Sequence, residues 1–282
     1  MFKKTISEMN NIYVTKNYQS FDSLPRKIEI ETINRCNGKC SFCPVNVNEP
    51  QRPYAKMTKE LFFKIIDELK DMGYKGKISL FSNNEPFLDE RIIEFHKYAK
   101  KKLKKAWFVL YTNGSLLTLD KLKQIVQYCD KIVIDNYSDT GEVNDGLYEV
   151  KRFIESNIGL RKKVYFDMRK QNEILTSRGG TAPNKREGDR IDCKCVLPFQ
   201  QLVIRPTGEV SLCCNDALGK MTLGNCKEQT IKEIWFGQPY REVRTIMFEK
   251  GRLGIPLCSK CDTLGGDFSF TEKYGLSSRW IQ

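Results

Sequence analysis

Among its 282 residues the chain holds a single histidine, His96. That scarcity removes every metal site built on two imidazoles and limits Ser-His-Asp or Cys-His catalysis to one position at most. No apolar run approaches the ~18 residues that a membrane span needs. The opening MFKKTISEMNNIYV turns polar before the apolar region of a signal peptide can form, so the chain reads as cytoplasmic. Internal repeats and low-complexity tracts are also missing. With 40% hydrophobic and 29% charged residues, disorder and collagen-like structure are excluded in favour of one large α/β core, alone or with a small appended domain.

What the chain does have is cysteine, 11 in all. In a reducing compartment these read as metal ligands or reactive thiols rather than disulfides, and with one histidine any metal chemistry falls to thiolates. Lys plus Arg 47 against Asp plus Glu 35 gives a net charge of +12, which favours anionic partners of any kind, including a negatively charged cluster held inside the protein. The run Lys100-Lys101-Lys102-Leu103-Lys104-Lys105 closes an apparent helix, where cations suit the C-terminal dipole, and is read as a solvated face.

From residue 27 short β-branched or aromatic runs alternate with helical patterns, the order expected of parallel strands joined by right-handed crossovers. Strands are expected at 27–31, 78–81, 107–111, 132–135 and 163–167, and helices over 57–72, 89–102, 119–128 and 146–156, which gives five or six βα steps. Residues 170–192 hold Gly179-Gly180 and Pro183 and lack either period, as a connection does. Runs at 201–204 and 209–212 flank Arg205-Pro206-Thr207-Gly208, a hairpin with glycine at the positive-φ position. A long amphipathic helix pattern over 231–250 carries a break near Gly237-Gln238-Pro239.

Three thiols, Cys36, Cys40 and Cys43, follow the first strand directly, at the strand end where chemistry gathers in parallel α/β folds. Three ligands are one short of a structural zinc site, whereas they suit a 4Fe-4S cube whose fourth iron stays open. This Cys-x3-Cys-x-aromatic-Cys spacing, with Phe42 as the aromatic, resembles the radical S-adenosylmethionine (SAM) superfamily. The resemblance covers about residues 27 to 168. It implies that the open iron chelates SAM and that reductive cleavage yields a hydrogen-abstracting 5'-deoxyadenosyl radical. Ser82-Asn83-Asn84-Glu85-Pro86 follows the second strand where the family usually has Gly-Gly-Glu-Pro for the methionine amino group; Glu85 and Pro86 match, while Asn83 and Asn84 replace the glycines. Asn84, Glu85, Asn113 and Asp135 are thereby implied as SAM contacts, the last two with ordinary turn chemistry as the competing explanation.

A second cysteine set comprises Cys195, Cys213 and the pair Cys258 and Cys261. Four thiolates fill a cube or one tetrahedral zinc, and the residues alone do not separate the two metals. The pattern Cys-x12-Gly-x4-Cys followed by Cys-x2-Cys resembles the Twitch domain, the shortened relative of the SPASM domain, which implies one auxiliary 4Fe-4S cluster. Cys193 and Cys214 are close substitutes for Cys195 and Cys213. Cys129 reads as a core residue; Cys214 and Cys226 read as packing, with hydrogen-atom donation as the alternative.

The resulting expectation is a partial (β/α)6 TIM-type barrel, residues 27–175, preceded by an extension (1–26). A connecting loop (176–192) leads to a small Twitch-type iron-sulfur domain (193–282). Two clusters in so compact a chain look like the dehydrogenase branch of the family, in which a functional arginine stands seventeen residues before the first auxiliary cysteine, as Arg178 does before Cys195. Arginine stays protonated, so it would hold a substrate oxygen rather than remove a proton. The implied reaction is oxidation of a secondary alcohol on an aminocyclitol or sugar, phosphorylated and nucleotide-linked forms included, with electrons from a flavodoxin or ferredoxin. Epimerisation and peptide modification are the enzymatic rivals. The 35 residues before Cys36 are few for a peptide-recognition domain. A zinc-stabilised nucleic-acid-binding protein is the non-enzymatic rival, disfavoured because no strand face interleaves basic and aromatic residues.

Overall fold

The computed structural model describes residues 2–19, 21–47, 52–185, 187, 189, 191 and 193–264. The expected auxiliary domain beyond residue 264, four positions of the connecting loop (186, 188, 190 and 192) and residues 1 and 20 of the extension lie outside the described residues. The first half runs α1 (Phe2–Gln19), β1 (Lys27–Ile30), α2 (Pro44–Val47), α3 (Lys59–Asp71), β2 (Lys77–Ser79), α4 (Ile92–Lys102), β3 (Trp107–Thr112), α5 (Leu119–Ile125) and β4 (Lys131–Tyr137). There follow α6 (Tyr148–Ser156), α7 (Ile158–Arg161), β5 (Val164–Arg169), α8 (Leu197–Gln200), β6 (Gln201–Ile204), β7 (Glu209–Ser211), β8 (Thr222–Asn225), α9 (Ile231–Trp235), α10 (Gln238–Glu249) and α11 (Pro256–Ser259).

One sheet holds all eight strands in the order β5-β4-β3-β2-β1-β6-β7-β8. The first six are parallel and form the partial barrel; β7 and β8 add antiparallel. The sixth parallel strand is β6, which pairs with β1 on the flank away from β2, Ile28 against Leu202. The hairpin anticipated in the auxiliary region therefore continues the barrel's own sheet. Its turn holds Gly208 at φ +90, with the Arg205 N–H donating to Glu209 O at 2.8 Å.

Local sequence explains the helices that cover the sheet. The hydroxyl of Thr58 accepts from the N–H of Leu61 (3.2 Å) and starts α3, whose Leu61, Phe62, Ile65, Ile66 and Leu69 form one buried stripe. Gly73, at φ +64, ends it. Each of those apolar side chains contributes roughly 1.5–3 kcal/mol on burial, and the Phe62 ring stacks on Phe95 of α4 at 4.1 Å. The lysine run at the end of α4 is tied into surface ion pairs, Lys100 with Asp130 (2.6 Å) and Lys102 with Asp67 (2.7 Å). Gly237 separates α9 from α10, where the pattern predicts a break.

The extension carries a helix the pattern does not predict. The sequence of α1 is largely polar, and its order comes from tertiary contact: Tyr18 stacks on Phe248 of α10 at 4.2 Å, and the Asn10 side-chain amide donates to Leu264 O at 2.9 Å. Among the described residues, no helix is long and apolar enough to cross a membrane.

Candidate active site

The loop after β1 brings three thiols together. Cys43 N–H donates to Cys40 O (3.1 Å), closing a turn, and Gly38 N–H donates to Cys36 Sγ (3.3 Å). A Cβ at Gly38 would meet Cys36 Sγ at 3.4 Å and Cys40 Sγ at 3.8 Å, so both sulfurs converge on that glycine. Burial pushes the Cys36 thiol up to about 12 and Cys40 to about 11, each raised further by the facing Cys43. Thiols so disfavoured as free thiolates are expected to ionise when a cationic centre takes them. Phe42 is buried beneath this loop, 5.9 Å from the Tyr137 ring.

Glu85, 1% exposed, caps the turn after β2 and accepts from Phe87 N–H (3.0 Å), Thr112 Oγ1 (2.8 Å) and Asn113 N–H (2.8 Å). Burial raises its pKa and those three donors oppose the rise. Its carboxylate is therefore largely committed to protein, and only the Oε2 side retains acceptor capacity. Asn84 has the opposite character: Oδ1 accepts from Ser82 N–H at 3.1 Å, while Nδ2 is buried without a partner. An orphaned amide donor costs about 1–3 kcal/mol, and it fits a ligand carboxylate. Asn113 is occupied as a turn residue, Oδ1 accepting from Ser115 N–H (2.9 Å) and Oγ (2.6 Å) and Nδ2 donating to Asn37 (2.9 Å).

Asp135 faces the barrel interior with Asp167 as its neighbour on β5. Burial pushes its carboxyl up to about 7, against the pull of Arg169. A cavity of about 660 Å³ opens at the ends of β4 and β5, lined by Ser138, Asp139, Met168, Arg169 and Glu173 among others.

The sequence missed the polar lining of the barrel. Glu29 accepts from Ser82 Oγ (2.5 Å) and Gln201 Nε2 (3.0 Å) and pairs with Lys27; Glu31 pairs with Arg52 (3.2 Å), which also donates to Asn83 O (3.1 Å). A signal was present. Lys27-Ile28-Glu29-Ile30-Glu31 alternates charge with isoleucine, and a parallel strand covered by helices can turn its charges only into the barrel. Cys214 is held at this lining by both main-chain groups, its N–H donating to Gln201 Oε1 (3.2 Å) and its carbonyl accepting from Asn83 Nδ2 (3.0 Å). Burial pushes its thiol up to about 11, and the charges facing it are those of Glu29, Lys27 and Arg178. Cys226 and Cys129 are buried in the apolar core instead.

Arg178 reaches the same polar lining, Nη1 lying 3.5 Å from Asn83 Oδ1. It is the one non-glycine residue among those described with positive φ, +50. The loop that carries it is fastened to the Cys258–Cys261 segment: Ser177 Oγ donates to Lys260 O (2.6 Å), Ser177 N–H donates to Asp262 (2.7 Å), and Gly179 lies against Leu257. Cys195, Cys213 and Cys258 are buried and Cys261 partly so. Burial pushes the Cys213 thiol well up, and the neighbouring thiols of Cys214, Cys258, Cys261 and Cys195 add to the rise. Among the described residues, no three His, Cys, Asp or Glu side chains converge tightly enough for a single metal ion; cubane ligands each hold a different iron and stand wider apart.

Two family models match the chain, the radical SAM superfamily over residues 30–139 and the SPASM iron-sulfur cluster-binding domain over residues 193–262. The chain thus carries a radical SAM domain followed by a SPASM domain. It is similar to the S-adenosyl-L-methionine-dependent 2-deoxy-scyllo-inosamine dehydrogenase of Niallia circulans, 26% identical over 244 residues that span 86% of this chain and 95% of that protein. Among solved structures, BtrN in complex with AdoMet and 2-DOIA superposes with a TM-score of 0.74 at 26% identity, covering 86% of this chain and 94% of that one. The native anSMEcpe structure with bound AdoMet shares the fold alone, with a TM-score of 0.58 at 14% identity over 85% of this chain and 90% of that one. The chain thus joins a radical SAM barrel to an iron-sulfur cluster-binding SPASM domain and is homologous to a radical SAM dehydrogenase.

Proposed function

We propose that the protein oxidises a secondary alcohol of a small carbohydrate-like molecule, an aminocyclitol or sugar, to the ketone. Cys36, Cys40 and Cys43 would hold one 4Fe-4S cluster, and Cys195, Cys213, Cys258 and Cys261 a second. When bound, the first cluster with SAM supplies a hydrogen-abstracting radical, and the second supplies a one-electron acceptor. Asn84 Nδ2 would donate to the SAM carboxylate, Glu85 would accept from its ammonium through Oε2 and Asp135 from ribose hydroxyls, while Asn113 and Phe42 would wall that pocket. Arg178 holds the substrate oxygen and stabilises negative charge as the hydroxyl proton leaves. The paired carboxylates and amides of the lining suit a polyol, which needs many hydrogen-bonding partners and little apolar surface. An external flavodoxin- or ferredoxin-type carrier would exchange electrons with the clusters.

The observation that carries this reading is the fastening of the Arg178 loop to the cysteine segment at Lys260 and Asp262. It supports reading the barrel lining, the arginine and the auxiliary thiols as one unit. The test is anaerobic turnover of reconstituted protein with SAM, reductant and 2-deoxy-scyllo-inosamine or related cyclitols and sugars, reading 5'-deoxyadenosine and a carbonyl product. Carbonyl formed in step with 5'-deoxyadenosine supports it; 5'-deoxyadenosine with unchanged substrate oxidation level opposes it.

A second reading, redox-neutral epimerisation, draws on Cys214, a thiol at the barrel lining able to return a hydrogen atom. In deuterated water that reaction would leave solvent deuterium on the substrate carbon, and Cys214→Ala would abolish it. Oxidation would proceed in Cys214→Ala with no such label.

A further inference from the structure

Arg252, in the turn between α10 and α11, takes no part in the barrel lining and is only 5% exposed. Its N–H groups donate to main-chain carbonyls: Nε to Cys193 O (2.9 Å), Nη1 to Cys261 O (3.4 Å), and Nη2 to Thr263 O (2.8 Å) and Leu264 O (3.3 Å). These acceptors belong to the two segments that carry Cys195 and the Cys258–Cys261 pair, so the guanidinium stands between them. Among the described residues no carboxylate pairs with it. The ionisable groups facing it are the thiols of Cys195, Cys261, Cys193 and Cys258.

Of the other buried arginines, Arg205 likewise donates to neutral oxygens, Ser211 Oγ (3.3 Å) and Ala217 O (3.0 Å), and three are compensated differently. Arg52 and Arg169 pair with Glu31 and Glu173, and Arg244 lies 3.8 Å from the Phe21 ring and 4.3 Å from Trp235. Among the described residues Arg252 has hydrogen bonds for its donors but no carboxylate or ring face for its cation. A buried charge left in that state is strongly unfavourable. Thiolates bound to an iron-sulfur cluster would supply the missing anion, and the cation would act back on the cluster, because each electron the cluster takes up adds a negative charge beside it.

We propose that Arg252 is the resident counter-charge of the auxiliary cluster and raises its reduction potential, making it a better acceptor for the substrate's electron. The inference rests on the reading of Cys195, Cys213, Cys258 and Cys261 as cluster ligands. In the step it serves, the substrate radical gives up one electron and releases its hydroxyl proton to solvent water, becoming the ketone. The cluster gains that electron and later passes it to an external one-electron carrier. No bond to Arg252 forms or breaks; it is a positioning residue acting through the cluster.

The experiment is a spectroelectrochemical titration followed by paramagnetic resonance, with no substrate present. It uses full-length protein in which Cys36, Cys40 and Cys43 are alanine, so that only the auxiliary signal remains. Arg252→Gln is expected to lower the midpoint so that the oxidised-to-reduced ratio at the parent midpoint rises at least tenfold, about 59 mV for a one-electron couple. Arg252→Lys keeps the charge and is expected to hold that ratio within about twofold. Loss of auxiliary iron in Arg252→Gln with retention at the parent midpoint in Arg252→Lys also supports the assignment. An unchanged midpoint in Arg252→Gln with iron bound, an equal fall in both variants, or iron loss in both would overturn it. Absence of auxiliary iron in the parent itself would instead overturn the ligand reading on which it rests.

Discussion

Replacing Gly179 by alanine tests how the auxiliary segment positions Arg178. Gly179 has φ +62, a conformation that costs an L-residue about 1–2 kcal/mol. A Cβ there would also meet Leu257 Cδ1 at 2.6 Å, Cγ at 3.0 Å and the Leu257 carbonyl oxygen at 3.3 Å. Overpacking of this kind typically costs about 1–3 kcal/mol, which brings the total to about 2–5 kcal/mol. The loop relieves that strain most cheaply by lifting off Leu257, which carries Arg178 away from Asn83. A misplacement near 1 Å at a reacting group can cost about a hundredfold in rate, so Gly179→Ala is expected to lose roughly that much alcohol oxidation while retaining both clusters. Leu257→Ala opens the space, and the double variant should regain part of the loss in a double-mutant cycle read by kcat/KM and by urea unfolding. Full activity in Gly179→Ala, or strictly additive effects in the cycle, would refute the reasoning.

Arg178→Gln should lower kcat by about 10²–10³-fold and Arg178→Lys by less, with iron content unchanged; equal and small effects would remove the arginine from the reaction. Arg52→Met strands Glu31 as a buried uncompensated charge and should destabilise by about 3–5 kcal/mol, much of it recovered in Arg52→Met/Glu31→Gln, as chemical unfolding would reveal. His96 is buried with Nδ1 2.8 Å from Ile92 O, and burial pulls its pKa from 6.5 down to about 4. Between those values the unfolded chain binds a proton that the folded chain refuses. Stability should therefore fall as pH drops from 6.5 to about 4, by up to about 3 kcal/mol, and His96→Leu should flatten that slope. A slope unaffected by the substitution would assign the pH dependence to other groups.

Much of the barrel is legible because its signals are local. The stripe of α3, its stop at Gly73 and the turn at Gly208 each declare themselves within a few residues. Parallel pairing does not, since nothing near Gln201–Ile204 announces that it will lie beside Lys27–Ile30, and only the folded sheet joins them. The same holds for α1, whose polar sequence is ordered by Tyr18 against Phe248 in a segment more than two hundred residues away. At the site, cysteine spacing is local and marks the first thiol cluster, whereas the commitment of Glu85 to Phe87, Thr112 and Asn113 depends on two strands and a turn meeting. Motif position identifies that carboxylate but not how little of it remains free. The alternating charges of β1 could have been read as a polar lining, had the strand been assumed to face inward.

The central claim, two iron-sulfur clusters serving one radical oxidation, is tested most directly by iron, acid-labile sulfide and zinc per chain after anaerobic reconstitution. The comparison is between the intact protein and the variant with Cys36, Cys40 and Cys43 all replaced by alanine. The account predicts about eight irons falling to about four, with matching sulfide. About one zinc per chain with little iron in either protein would contradict it.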